Sequence, residues 1–230
     1  MQSPRTPDGQ PHARQFKDEV FGHFARIGSA FGHAKRVEII DVLAQGERSV
    51  ESLARQIDAT VANTSHHLQT LAAAGLVTRR VEGTSRVYRL TDPGVATAYR
   101  TLVTLAETHI AQVTALTDAF FAHADGARAV TMAELAAMSD HDGIVLVDVR
   151  PESEYTHAHL EGAINIPVTE IAAGLADVPA NSTVVAYCRG PYCVMAAAAV
   201  RQLREAGYPA VRLADAYPAA SRSFDTGVTT

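Results

Sequence analysis

Ala186-Tyr-Cys-Arg-Gly-Pro-Tyr-Cys-Val-Met-Ala-Ala-Ala-Ala-Val200 is the stretch from which the rest of the chain is read. The run Thr183-Val-Val-Ala-Tyr187 in front of it is apolar and β-branched, the pattern of a buried strand. It stops at Cys188. A Gly-Pro turn follows, and then an alanine-rich helix carrying Val200 and Leu203, with Gly207 as its stop signal. Cys188 is thereby placed at the carboxyl end of a strand, in a tight loop that opens onto a helix N-terminus. Loop amides and the helix dipole favour an anion there. They lower a thiol pKa from about 8.5 into roughly the 3.5–7.5 range, so that a thiolate exists at neutral pH. The candidate reactive loop is Cys188, Arg189, Gly190, Tyr192 and Cys193; a buried, inert structural cysteine is the alternative.

Three segments upstream keep order with this loop: Leu146-Val-Asp-Val-Arg150, Glu154-Tyr155, and His159-Leu-Glu-Gly-Ala-Ile-Asn-Ile-Pro167. With the loop they resemble the rhodanese family over residues 128–224. The resemblance implies an α/β domain with a central parallel sheet, in which Cys188 takes a sulfane sulfur as a persulfide cradled by loop amides. Asp148 and Arg150 are then structural supports of the loop, and His157 and His159 are surface or packing residues. The loop departs from the family pattern at its sixth place, where Cys193 stands instead of a cation. This disfavours arsenate or phosphate-ester chemistry, which wants a longer loop closed by arginine. Cys193 has two readings: a resolving thiol that attacks a persulfide on Cys188, or a small apolar residue in the first turn of the helix.

The first half reads differently. Residues 1–125 hold 13 Lys and Arg against 13 Asp and Glu, whereas residues 126–230 hold 7 against 12, so the acidic excess lies wholly in the second half. Within residues 60–91, Arg79, Arg80, Arg86 and Arg89 face only Glu82. Around them, Phe16–Ser29 and His33–Ala44 have helical periodicity, and Val37, Ile40 and Leu43 share a face of the second. Ser49 caps a short helix to Ile57, a turn at Asp58-Ala59 follows, and Thr60–Ala73 is a further helix closed by Gly75. Two helices joined by so short a turn form a helix-turn-helix. Leu76–Val81 and Arg86–Leu90 alternate with period two around Glu82-Gly-Thr-Ser85, a hairpin wing.

With Val61, Leu68, Leu71 and Ala72 turned to the core, Thr60, Asn63, Thr64, Ser65, His66, His67 and Gln69 are left to meet DNA, together with Arg79 and Arg86 on the wing. Ser65-His-His-Leu68 followed by Ala74-Gly-Leu-Val77 resembles the ArsR family of bacterial winged-helix repressors over about residues 17–122. That resemblance implies a homodimer that releases double-stranded operator DNA when an inducer binds. Gly94–His123 reads as one long helix whose Val95, Leu102, Leu105, Ile110, Val113, Leu116 and Phe120 need a partner surface, which a second copy supplies.

The chain is expected to hold a disordered tail over residues 1–15, a winged-helix and dimerisation domain (mainly α, α+β) over 16–124, a linker at Asp125-Gly126, and an α/β rhodanese-like domain over 128–224. No run is long and apolar enough for a membrane span. The start carries no secretory pattern, and two cysteines five positions apart are not a secreted disulfide framework, so the expectation is cytoplasmic. Metal and cofactor are expected to be absent: the Cys-x-Cys pattern of metal-sensing relatives is missing at Arg48–Ser52, and Glu107-Thr-His109 is half of their other site. Three readings remain open: a repressor sensing a small sulfur donor or oxidant through Cys188, a working sulfurtransferase tethered to a DNA-binding domain, and a repressor responding to a thiophilic metal or arsenic.

Overall fold

The computed structural model describes residues 13–124, 126, 129–138 and 143–214. The expected tail up to residue 12, Asp125 of the linker, and the last ten residues of the 128–224 segment lie outside them. Packing divides the chain into two units, Met1–Thr101 and Leu102–Thr230.

In the first unit, α1 (Ala13–Phe31) and α2 (Ala34–Ala44) precede a two-residue strand β1 (Arg48–Ser49). The pair α3 (Val50–Gln56) and α4 (Val61–Ala73) is the helix-turn-helix. Both of its helices start on a hydroxyl cap: Ser49 Oγ accepts from Ser52 N–H, and Thr60 Oγ1 accepts from Asn63 N–H, each at 3.2 Å. α4 ends in a Schellman motif, with Leu76 N–H on Leu71 C=O at 3.0 Å and Gly75 N–H on Ala72 C=O at 2.9 Å. That turn puts Gly75 at φ +77°, where a Cβ is disfavoured. β2 (Val77–Glu82) and β3 (Ser85–Leu90) then form the antiparallel wing, turning through Gly83 and Thr84. β1 adds to the free edge of β3, giving the order β1-β3-β2; a two-residue strand has no periodicity by which to announce itself.

The core of this unit joins Ile39, Ile40 and Leu43 of α2 to Leu53, Ile57, Leu68, Leu71 and Tyr88. α1 buries only Ala30 and leaves Phe16, Phe21, Phe24 and Ile27 outside. The buried stripe of α4 is Thr64, Leu68 and Leu71. Val61 and Ala72, expected inside, are exposed, and Thr64, expected outside, is fully buried with its Oγ1 donating to Thr60 C=O at 2.9 Å. A threonine that meets its hydroxyl's hydrogen bond on its own helix can be buried like a valine. Apolarity alone therefore set the helix face wrongly.

The long helix expected over Gly94–His123 is two helices, α5 (Pro93–His109) and α6 (Ala111–Ala124), parted at Ile110. In α5 the hydroxyls of Thr97, Thr101 and Thr108 donate to carbonyls four residues back, a pattern that bends helices. The boundary between the two units falls inside α5.

The second unit holds a parallel sheet of four strands, β4 (Ile144–Asp148), β5 (Ile164–Asn165), β6 (Thr183–Tyr187) and β7 (Ala210–Arg212), in the order β5-β4-β6-β7. Around it lie α7 (Met132–Met138), α8 (Glu152–His157), α9 (Ile171–Gly174) with a 3-10 turn at Leu175–Asp177, and α10 (Val194–Glu205). Alternate residues of β6 serve two cores, as a strand covered on both faces requires. Val184 and Ala186 join Ile171, Ala199, Val200 and Leu203, while Val185 and Tyr187 join Leu135, Leu160 and Leu213. The small side chains of Ala196, Ala197 and Ala199 are buried and let α10 lie close to the sheet.

Candidate functional site

The strand order identifies the site. The chain enters the sheet at β4, moves to β5 on one side, then returns past β4 to β6 and β7 on the other. The connections therefore diverge between β4 and β6, and the crevice at the carboxyl ends of those two strands is where open α/β sheets bind ligands. The segment following β4 holds Arg150, and the one following β6 begins with Cys188.

Cys188 is 4% exposed, between the fully buried end of β6 and the N-terminus of α10. Cys193 is the N-cap residue of α10, and its N–H donates to Gly190 C=O at 3.1 Å, closing a tight turn. Cys188 and Cys193 are joined as a disulfide, with Cα atoms 6.3 Å apart. The sequence leaves two roles open for Cys193; the fold brings its sulfur to that of Cys188.

Arg189 is paired with a carboxylate of α8. Its Nε and Nη2 donate to the two carboxylate oxygens of Glu154 at 3.0 and 2.6 Å. Glu154 lies on α8 and is fully buried. A bidentate pair of this kind holds a planar guanidinium in one orientation, so Arg189 ties the loop to α8. Nothing local to Glu154 marks it as the partner of Arg189; the signal was a carboxylate on a short helix preceding a loop arginine.

Asp148 and Arg150 form a second pair inside the domain. The Asp148 carboxylate accepts from Arg150 N–H at 3.0 Å, Nε at 2.9 Å and Nη2 at 2.5 Å. Arg150 Nη2 also donates to Ala158 C=O at 2.8 Å, and Asn165 Nδ2 donates to Asp148 C=O and Arg150 C=O, both at 2.9 Å. Together these bonds stitch the end of β4 to α8 and β5. Tyr187, at the end of β6, accepts Leu160 N–H on its hydroxyl at 3.0 Å. Burial, and then the charge of Asp148, raise its phenol pKa well above the ordinary tyrosine value, so it stays neutral beside the loop. His157 and His159 are exposed, and His159 stacks on Tyr155.

Tyr192 is 41% exposed, yet its hydroxyl donates to Glu107 Oε1 at 2.6 Å. Partial burial first, and Glu107 second, push its pKa upward. Glu107, in the Glu107-Thr-His109 segment that resembles half of a metal site, turns its carboxylate to a tyrosine.

In the winged helix, Asn63, His66 and Gln69 are exposed along α4, and Arg79 and Arg86 are exposed on the wing. Thr60 is the helix cap, Ser65 is half-buried and Thr64 is withdrawn. His67 is half-buried against His33, with ring centroids 4.4 Å apart. Its Nδ1 has no hydrogen-bond partner among the described residues. Burial, then the charges of His33, Arg36, His66 and Lys35, lower its pKa from 6.5. A depressed pKa means that the unfolded chain takes up the proton first. We therefore expect the winged helix to lose stability as pH falls from 6.5 through the His67 value. Thermal melts against pH should show this slope in the wild type and its flattening in His67→Gln.

A helix-turn-helix with a basic hairpin, joined to a parallel sheet bearing a cysteine loop at its switch point, defines the class: a winged-helix regulator with a rhodanese-like domain attached. Comparison with known proteins bears this out. Residues 131–216 match the rhodanese-like domain, and residues 33–79 match the bacterial regulatory protein, arsR family. The chain is 42% identical over 200 residues to the HTH-type transcriptional regulator Rv0324 of Mycobacterium tuberculosis, covering 86% of this chain and 87% of that one. It is 40% identical over 71 residues to the HTH-type transcriptional regulator Rv2034 of the same organism, covering 31% of this chain and 66% of that one. Among solved structures, the homodimeric winged helix-turn-helix DNA-binding domain Mb0332 of Mycobacterium bovis is 35% identical. That match covers 44% of this chain and 92% of that one, with a TM-score of 0.40. The chain belongs to the ArsR family of bacterial regulatory proteins and is a transcriptional regulator with a C-terminal rhodanese-like domain. No helix among the described residues is long and apolar enough to cross a membrane.

Proposed function

We propose that this regulator is a sulfur-responsive repressor. A homodimer holds double-stranded operator DNA while Cys188 and Cys193 are thiols, and releases it once they are joined. The observation that carries the reading is the placement of both cysteines around one tight turn at the sheet's switch point. Their Cα separation of 6.3 Å lies within the roughly 4.4–6.8 Å span that a disulfide bridges.

The chemistry needs a persulfide donor, R–S–SH. The Cys188 thiolate attacks the outer sulfur, the S–S bond breaks, and R–SH leaves with the proton. Cys188 now carries –S–SH. The Cys193 thiolate then attacks the inner sulfur and expels hydrogen sulfide, which closes the disulfide. Two thiols are oxidised and one sulfane sulfur is reduced to sulfide, so no further oxidant is required.

On the DNA side, Asn63, His66 and Gln69 offer exposed hydrogen-bonding side chains for base edges. Arg79 and Arg86 meet phosphates, and Thr60 and Ser65 border the same helix end. His67 supports that helix from behind, against His33. The exposed apolar residues Phe16, Phe21, Phe24 and Ile27 of α1 supply a surface that a second copy covers.

The test uses a DNA duplex selected from a random-sequence library by the reduced protein. Treatment with an organic persulfide, without oxygen, should remove two hydrogens from the intact mass and lower DNA affinity about 5–150-fold. Closure of the disulfide with unchanged DNA affinity would overturn the sensor. Sustained transfer of sulfur from thiosulfate to cyanide with no DNA response would leave a tethered sulfurtransferase instead.

A further inference from the structure

Tyr192 sits within the loop that the two cysteines bracket, one residue before Cys193. Its side chain is partly exposed, and its hydroxyl meets the last turn of α5. The 2.6 Å contact with Glu107 Oε1 has the short length of a hydroxyl donating to a carboxylate. Glu107 and Tyr192 are 85 positions apart in the chain.

Helix α5 is an unusual element for a loop residue to hold. It begins at Pro93, and its first turns bury Val95 and Ala96, with Val95 in the core that also contains Leu68 and Leu71 of α4. One continuous helix therefore carries residues packed with the DNA-reading helix and, at its other end, the acceptor for the sulfur loop. An α-helix is stiff over such a length, because each residue is bonded to the fourth one along.

We propose that the Tyr192–Glu107 hydrogen bond is the latch through which the sulfur state of the loop is passed to α5 and so to DNA affinity. This rests on the sensor reading above and names its coupling device. With Cys188 and Cys193 joined, the turn through Gly190 is held, and Tyr192 is presented to Glu107 in one position. With the thiols apart, the four intervening residues regain conformational freedom, and the latch is paid for in ordering entropy. The closed loop thus holds the end of α5, and the open loop lets it go. A ligand state can shift DNA affinity only by its differential contact with the two conformations, and this hydrogen bond is such a contact.

The test uses the full chain, the library-selected duplex and the organic persulfide, and compares wild type with Glu107→Ala, Glu107→Gln and Tyr192→Phe. Intact mass measures closure of the loop, and DNA affinity is read on fully reduced and fully closed protein. Glu107→Ala should close as the wild type does and bind DNA equally when reduced. Its affinity drop on closure should shrink from about fivefold or more to under about twofold. Tyr192→Phe should lose the drop to the same degree, and Glu107→Gln, whose amide oxygen still accepts, should fall between. A full wild-type drop in both Glu107→Ala and Tyr192→Phe would overturn the latch while leaving the sensor standing. Closure with no drop in the wild type itself would overturn both.

Discussion

Asp148→Ala is expected to destabilise the C-terminal unit by about 3–5 kcal/mol, the loss found when one partner of a buried ion pair is removed. Arg150 is 1% exposed and Asp148 fully buried. Three of the guanidinium and backbone donors of Arg150 rest on that one carboxylate. Without it, the buried guanidinium loses its principal carboxylate while Nη2 keeps Ala158 C=O, and it cannot shed its proton to escape the cost. The same carboxylate anchors the end of β4, so the crevice that presents Cys188 loosens with it. Replacing both members by apolar residues of similar volume should cost much less than the single change. Urea denaturation of the wild type, Asp148→Ala and a double Asp148→Leu, Arg150→Met variant measures this. Equal losses in the single and double variants would show that the pair's role is packing rather than charge.

Cys188→Ser is expected to abolish the sulfur response altogether, because a serine hydroxyl neither ionises at neutral pH nor accepts sulfane sulfur. The treated variant should keep its starting mass and its reduced-state DNA affinity. Cys193→Ser separates the two steps. It should gain the mass of one sulfur atom, hold it on Cys188, and keep DNA bound, since no resolving thiol is left to expel sulfide. Mass spectrometry and DNA binding on the same samples decide the matter. Release of DNA by persulfidated Cys193→Ser would place the switch at the persulfide and remove closure of the loop from the mechanism.

Much of the architecture was legible before folding. The run from Thr183 to Gly207 contains its own strand, turn and helix stop, and local signals of that kind are read from consecutive residues. The pair α3 and α4 and the hairpin around Gly83 were legible for the same reason: Ser49, Gly75 and Gly83 each act on backbone within a few positions. The face of α4 was misread because Thr64 satisfies its hydroxyl on Thr60 and so behaves as an apolar residue. The break at Ile110 escaped because neither proline nor glycine marks it.

The sequence by itself determined the two kinds of unit, the helix-turn-helix and the cysteine loop, since propensity, capping and hydrophobic period are properties of neighbouring residues. Only the tertiary structure decided what the loop touches, Glu154 with Arg189 across 35 positions and Glu107 with Tyr192 across 85, and that the loop follows β6 where the connections diverge from β4. Those contacts arise from strand order and burial, and a charged side chain carries no local mark of the partner that folding will bring to it.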